Sequence, residues 1–119
     1  MGNSFDQAMV RGAQLFDAGA FFQAHEAWEE RWQAETDPDA RLLLQGLIQI
    51  AAGFHKVLGG ATPRVATAER LFARGLSKLA ACPRLTAERG LVAFSDGVRA
   101  WARALAAGAP DRATIPRLT

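Results

Sequence analysis

The sequence predicts an all-α protein, a single-domain irregular up-down bundle of about five helices around a central apolar helix. Three observations predict it. No stretch shows the alternating, β-branched pattern of a strand. Helix-start and helix-stop residues recur at short intervals. Residues 37 to 60 form one run that is apolar nearly all the way round, as in a helix covered by others. The chain has 119 residues, half of them hydrophobic, so one core can form without staples.

Taken in order, Ser4 with Gln7 three residues on is a capping-box pattern, and Gly19 supplies a stop, which gives a first helix over about residues 4 to 18. The second runs from about 20 to 35. Asp37 before Pro38 reads as an N-cap with proline in the first turn, and Gly59-Gly60 closes the long third helix. Thr62-Pro63 repeats that start for a fourth helix ending before Cys82-Pro83. Thr86 is then the expected cap of a fifth, which ends by Gly108 and Pro110. The helical domain is placed at residues 1 to 108, with 109 to 119 as a loose C-terminal tail. Gly46 and Gly53 on the third helix would admit a neighbouring backbone. The stripes expected to pack around it are Phe21, Trp28 and Trp32, then Leu71, Leu76 and Leu79, then Leu91, Phe94, Trp101 and Leu105.

Composition narrows the setting. A single cysteine, Cys82, allows no intrachain disulfide and no metal-binding Cys pair, which suits a reducing compartment. The N-terminus lacks a basic segment followed by an apolar run, and Met1-Gly2 is not followed by the Ser or Thr that myristoylation needs, since Asp6 stands there. A cytoplasmic protein with no membrane partner is expected. Residues 1 to 40 carry eight acids against Arg11 and Arg31, and residues 41 to 119 carry twelve Lys or Arg against four acids. The basic residues are spread over several segments, which disfavours nucleic acid as a partner; self-association stays open. A glycine-rich phosphate loop, an HExxH and a CxxC are all lacking.

The segment AHEAWEERW, residues 24 to 32, raises the functional question. At about 100° per residue, His25 and Glu29 fall within or beside the apolar stripe of Phe21, Trp28 and Trp32, while Glu26 and Glu30 fall beyond its edge. A carboxylate there needs a partner. Three readings compete. An i, i+4 histidine and glutamate can aim two ligands at one divalent transition metal, although two are too few alone. The pair can serve as an oriented acid and base, but the sequence offers neither nucleophile nor oxyanion donors. Or the pair bonds to Gln45 and Gln49 of the third helix as a buried structural clasp. An antiparallel hairpin turning near residues 35 to 38 would set His25 level with Gln49 and Glu29 level with Gln45. His55 would then lie about 9 Å further along the axis, which disfavours a His25, Glu29, His55 triad. Glu26, His55 and Lys56 are the further candidates, and Lys56 is expected to snorkel.

These residues also carry a resemblance. LFDAGAFFQAHEAWEERW followed by LLLQGLIQIAAGFHK resembles the small helical bacterial and archaeal family called domain of unknown function 309, over about residues 12 to 80. The family's His-x-x-x-Glu-x-x-Trp or Tyr pattern is met by His25, Glu29 and Trp32, and its Gln-Gly-Leu-Ile-Gln run by residues 45 to 49. The resemblance implies a small all-helical protein without an established activity, for which metal binding is proposed at the histidine and glutamate. The chain departs from it at Gly59-Gly60, where a Gly-Asn turn is common, and at Thr67-Ala68, where a glycine-alanine step is common. The expectation is a pocket of His25, Glu29, Gln45 and Gln49 walled by Trp28 and Trp32. It binds a divalent metal or, in the alternative, fixes helix register in a non-enzymatic interaction module.

Overall fold

The structure, a computed structural model, describes residues 4 to 119; the Met1-Gly2 reading lies outside the described residues. Six α-helices follow one another: α1 (Phe5–Asp17), α2 (Phe21–Ala34), α3 (Pro38–Leu58), α4 (Val65–Ala81), α5 (Pro83–Glu88) and α6 (Val92–Ala106), then a 3-10 turn at Arg112–Thr114. No strand occurs among the described residues.

Local chemistry explains most of these boundaries. Ser4 and Gln7 form the reciprocal capping box that opens α1, and Gly19, at φ 80°, makes the turn into α2. The Asp37 side chain accepts from the Ala40 amide at 2.9 Å, with Pro38 in the first turn of α3. Two starts differ from the sequence reading. Helix α4 begins at Val65 rather than after Thr62-Pro63, because the Arg64 amide donates to the Lys56 carbonyl at 2.9 Å and ties the loop to the end of α3. Thr86 does not cap a fifth helix. It sits inside the short α5 and donates its hydroxyl to the Leu79 carbonyl at 2.8 Å, while Gly90, at φ 68°, breaks the segment and α6 starts at Val92.

Helix α3 is the central element, with Leu43, Leu44, Leu47, Ile50, Ala51 and Phe54 fully buried. It meets α4 at backbone distance. A Cβ on Gly46 would lie 2.9 Å from the Gly75 carbonyl oxygen, and one on Gly75 would lie 2.7 Å from that of Gly46. The face α4 buries is Ala68, Phe72, Gly75 and Leu79; Leu71 and Leu76 are only half-buried, because the close glycine contact rotates Phe72 inward. There Phe72 packs edge-on to Phe54 at 4.9 Å, and Phe54 in turn meets Phe16, Phe21 and Trp101. Trp28 fills a gap against α1, where a Cβ on Gly12 would lie 2.0 Å from its indole nitrogen.

The last residues are not loose. The Trp101 indole donates to the Asp111 carbonyl at 2.9 Å, and Pro116 packs where a Cβ on Gly97 would stand. The amides of Leu118 and Thr119 donate to the Asp17 carboxylate at 2.8 and 2.9 Å. Residues 111 to 119 therefore form a strap over the α1-α2 turn, anchored by the Asp17 side chain, which is only 6% exposed.

Candidate functional site

Helices α2 and α3 pair as an antiparallel hairpin whose register is fixed at both ends. Near the turn, the Arg41 guanidinium donates to the Trp32 carbonyl at 2.7 Å; at the far end the rings of Phe22 and His55 meet at 5.3 Å. His25 and Glu29 lie between these two contacts on α2, and Gln45 and Gln49 lie between them on α3.

Depth, however, differs from the sequence reading. Glu29 is 43% exposed and His25 25% exposed, so the carboxylate is not buried as the pocket reading expected. His25 Nε2 lies 3.4 Å from Glu29 Oε2. Among the described residues neither side chain hydrogen-bonds to Gln45 or Gln49, and His25 Nδ1, Trp28 Nε1 and Gln49 Oε1 are buried without a partner. The bonded clasp expected from the sequence is therefore not formed. Gln45 and Gln49 are half-buried on α3. Trp28 is buried, its indole packed at Gly12 of α1, while Trp32 is half-buried and lies under the Arg41 guanidinium at 4.3 Å.

The further candidates separate. Glu26 is exposed. Lys56 is half-buried at the end of α3. His55 shares an aromatic neighbour with the site: Phe22 stacks on His25 at 5.8 Å and contacts His55 at 5.3 Å. Among the described residues no group of three or more His, Cys, Asp or Glu side chains converges to hold a metal ion. His25 and Glu29 can supply two ligands, and further ones would have to come from water or another molecule. Cys82 offers no nucleophile. Burial pushes its thiol up, Thr86 partly offsets that, and the Asp39 charge adds to it, so the sulfur stays protonated.

Two carboxylates the sequence passed over are the tightly held ones. Glu35, one residue past α2, is 9% exposed. It accepts from Arg31 Nη2 at 3.0 Å and from the Thr36 and Asp37 amides, each at 3.1 Å. Burial alone would push its carboxyl up; the Asp37 amide, the Arg31 guanidinium and the Thr36 amide outweigh that and hold it below the usual carboxylate range. The Arg31-Glu35 spacing of i, i+4 was a readable signal for this contact. Asp17, the strap anchor, had none, since its partners lie more than a hundred residues later.

The class these observations define is a small all-helical domain with an aromatic and polar face on its central hairpin. The family model described as Domain of unknown function (DUF309) matches residues 9 to 71, more than half of the chain, and the chain belongs to that family. The matched segment contains both helices of the hairpin. No curated protein and no solved structure matches the chain. Among the described residues no helix is long and apolar enough to cross a membrane.

Proposed function

We propose that this chain is a non-enzymatic helical binding module whose recognition surface is the open face of the α2/α3 hairpin. That surface runs from Phe22 through His25 and Glu29 to Trp32, with Gln45 and Gln49 alongside. The observation that carries this reading is Phe22, a phenyl ring 46% exposed yet in contact with the imidazoles of both His25 and His55, with the Glu29 carboxylate two turns further along. A fixed, exposed aromatic beside hydrogen-bonding groups that lack partners is how an interface anchor is built. The polar groups supply direction, and the ring supplies apolar area.

Site-specific photo-crosslinking in cells tests it, with p-benzoylphenylalanine in place of Phe22 or, as a control on another face, of the exposed Arg84. A discrete adduct from position 22 that is absent from position 84 and lost with His25→Ala is the expected result. No adduct at position 22, or the same adducts at both positions, would overturn the reading.

One observation favours divalent-metal binding as a second reading. Two ligand atoms of a tetrahedral zinc site with bonds of 2.0–2.1 Å stand about 3.3 Å apart, and His25 Nε2 and Glu29 Oε2 are 3.4 Å apart. Elemental mass spectrometry on untagged protein, wild type beside His25→Ala, decides between the two. Near-stoichiometric metal lost in the variant supports the metal reading; none in either, with no rise in melting temperature on adding zinc or manganese, sinks it.

A further inference from the structure

One cleft is lined by neither His25 nor Glu29. It is an open cavity of about 770 Å³ between the α1-α2 turn, the end of α3 and the C-terminal strap. That volume falls within the range of small-molecule sites. Its apolar wall is made by Phe16, Phe21, Phe22, Leu58, Ile115 and Pro116.

Its charge is one-sided. Arg112, Arg117 and His55 line it, and Asp17 is its sole acid among the described residues. That carboxylate is already engaged: Oδ1 accepts from the Leu118 amide, and Oδ2 accepts from the Thr119 amide and hydroxyl, with Arg117 Nη2 3.8 Å away. Arg112 has no ion-pair partner among the described residues. The cleft thus joins an aromatic and aliphatic wall to guanidinium groups, one of them without a counter-charge, all carried on a strap that its own carboxylate anchor holds in place.

We infer that this cleft is a binding site for a small amphipathic anion, a carboxylate with an aliphatic or aryl body, its head on Arg112 and Arg117 and its body against Phe21, Phe22 and Leu58. The guanidinium fork matches a planar carboxylate, and the apolar wall takes the part of the ligand that water rejects. The cleft shares Phe22 with the surface proposed above but is lined by neither His25 nor Glu29, so its arginine-dependent preference can be tested apart from that reading.

Sodium octanoate is the probe, titrated into the full chain while amide chemical shifts are followed by NMR, with 1-octanol and octylamine as chain-matched controls. Octanoate is expected to shift the amides of Gly19, Phe22, Gly59 and Ala113 and to bind about fivefold or more tightly than octanol, the scale of one partly exposed charge pair. Arg112→Gln with Arg117→Gln should remove that preference while leaving octanol affinity as it was. Equal affinity for octanoate, octanol and octylamine would overturn the proposal. So would shifts outside the cleft, or a double variant that still prefers octanoate.

Discussion

Two polar clusters on helix α2 and its C-terminal edge differ in what decides the role of a polar group. Around Glu35 the carboxylate is buried and bonded to Arg31 and to two backbone amides, and Arg41 closes the same turn by donating to the Trp32 and Glu35 carbonyls at 2.7 and 3.0 Å. Around Glu29 the carboxylate is open to water and meets one histidine at 3.4 Å, while the neighbouring Gln49 carbonyl oxygen has no partner. The first cluster holds the α2-α3 hairpin together. The second is free to bind something else. A polar group committed to the fold is recognised by saturated hydrogen bonding, not by its angle on a helical wheel.

The sharpest way to break that contrast is Glu35→Ala. It leaves the Thr36 and Asp37 amides and one edge of Arg31 without the carboxylate, at a cost of about 2–4 kcal/mol in urea unfolding. A loss below about 1 kcal/mol would mean that water replaces the carboxylate and that Glu35 is no clasp. The pH profile sharpens the point. The folded state holds the Glu35 carboxyl below its ordinary value of 4.5, so it releases the proton more readily than the unfolded chain does. This contribution is fully present above the unfolded value and is lost as pH falls through the folded one. Wild type should therefore lose stability below about pH 4.5 more steeply than Glu35→Gln, by the same unfolding assay run from pH 3 to 7.

Arg41→Ala comes next in size. It removes the two carbonyl contacts and the stacking over Trp32 at 4.3 Å. A loss of about 1–2 kcal/mol is expected, because the carbonyls at the end of α2 can turn to water. Arg41→Lys should recover little of it, since an ammonium cannot span both carbonyls and cover the indole. Full recovery by lysine would reduce the contact to simple charge at a helix C-terminus.

The fold was legible where its signals are local. Ser4 with Gln7 and Asp37 with Pro38 mark helix starts because each cap closes within three residues, and the all-round apolarity of α3 shows its central place without reference to any neighbour. What the sequence reading missed depends on distant groups. The start of α4 is set by the Lys56 carbonyl, the role of Thr86 by Leu79, and the docking of the C-terminal strap by Asp17, none of which has a signature within one helical turn. The candidate site was half legible. The i, i+4 approach of His25 to Glu29 follows from helical geometry, but the exposure of Glu29 depends on how the neighbouring helices pack. Glu35 carried a local signal in its i, i+4 spacing from Arg31, but its bonds to the Thr36 and Asp37 amides form because the helix ends at Ala34, one residue before the end the sequence suggests.

The smallest expected effect decides whether the contrast is real. His25→Ala and Glu29→Ala, made singly and together, should each change unfolding free energy by less than about 0.5 kcal/mol, and their coupling in a double-mutant cycle should fall in the range of an exposed i, i+4 pair, about 0.3–0.5 kcal/mol. The reason lies in what each substitution leaves behind. Removing Glu29 strips His25 of one contact at 3.4 Å to a carboxylate that is 43% exposed, and removing His25 eliminates the partnerless Nδ1 along with the ring. Neither leaves a buried charge. Glu35→Ala, by contrast, strands two amides that the fold had committed to a carboxylate. If His25→Ala instead proved as damaging as Glu35→Ala, the imidazole would have to be bonded in solution to Gln49, and the hairpin face would be a clasp rather than a surface kept open for a partner.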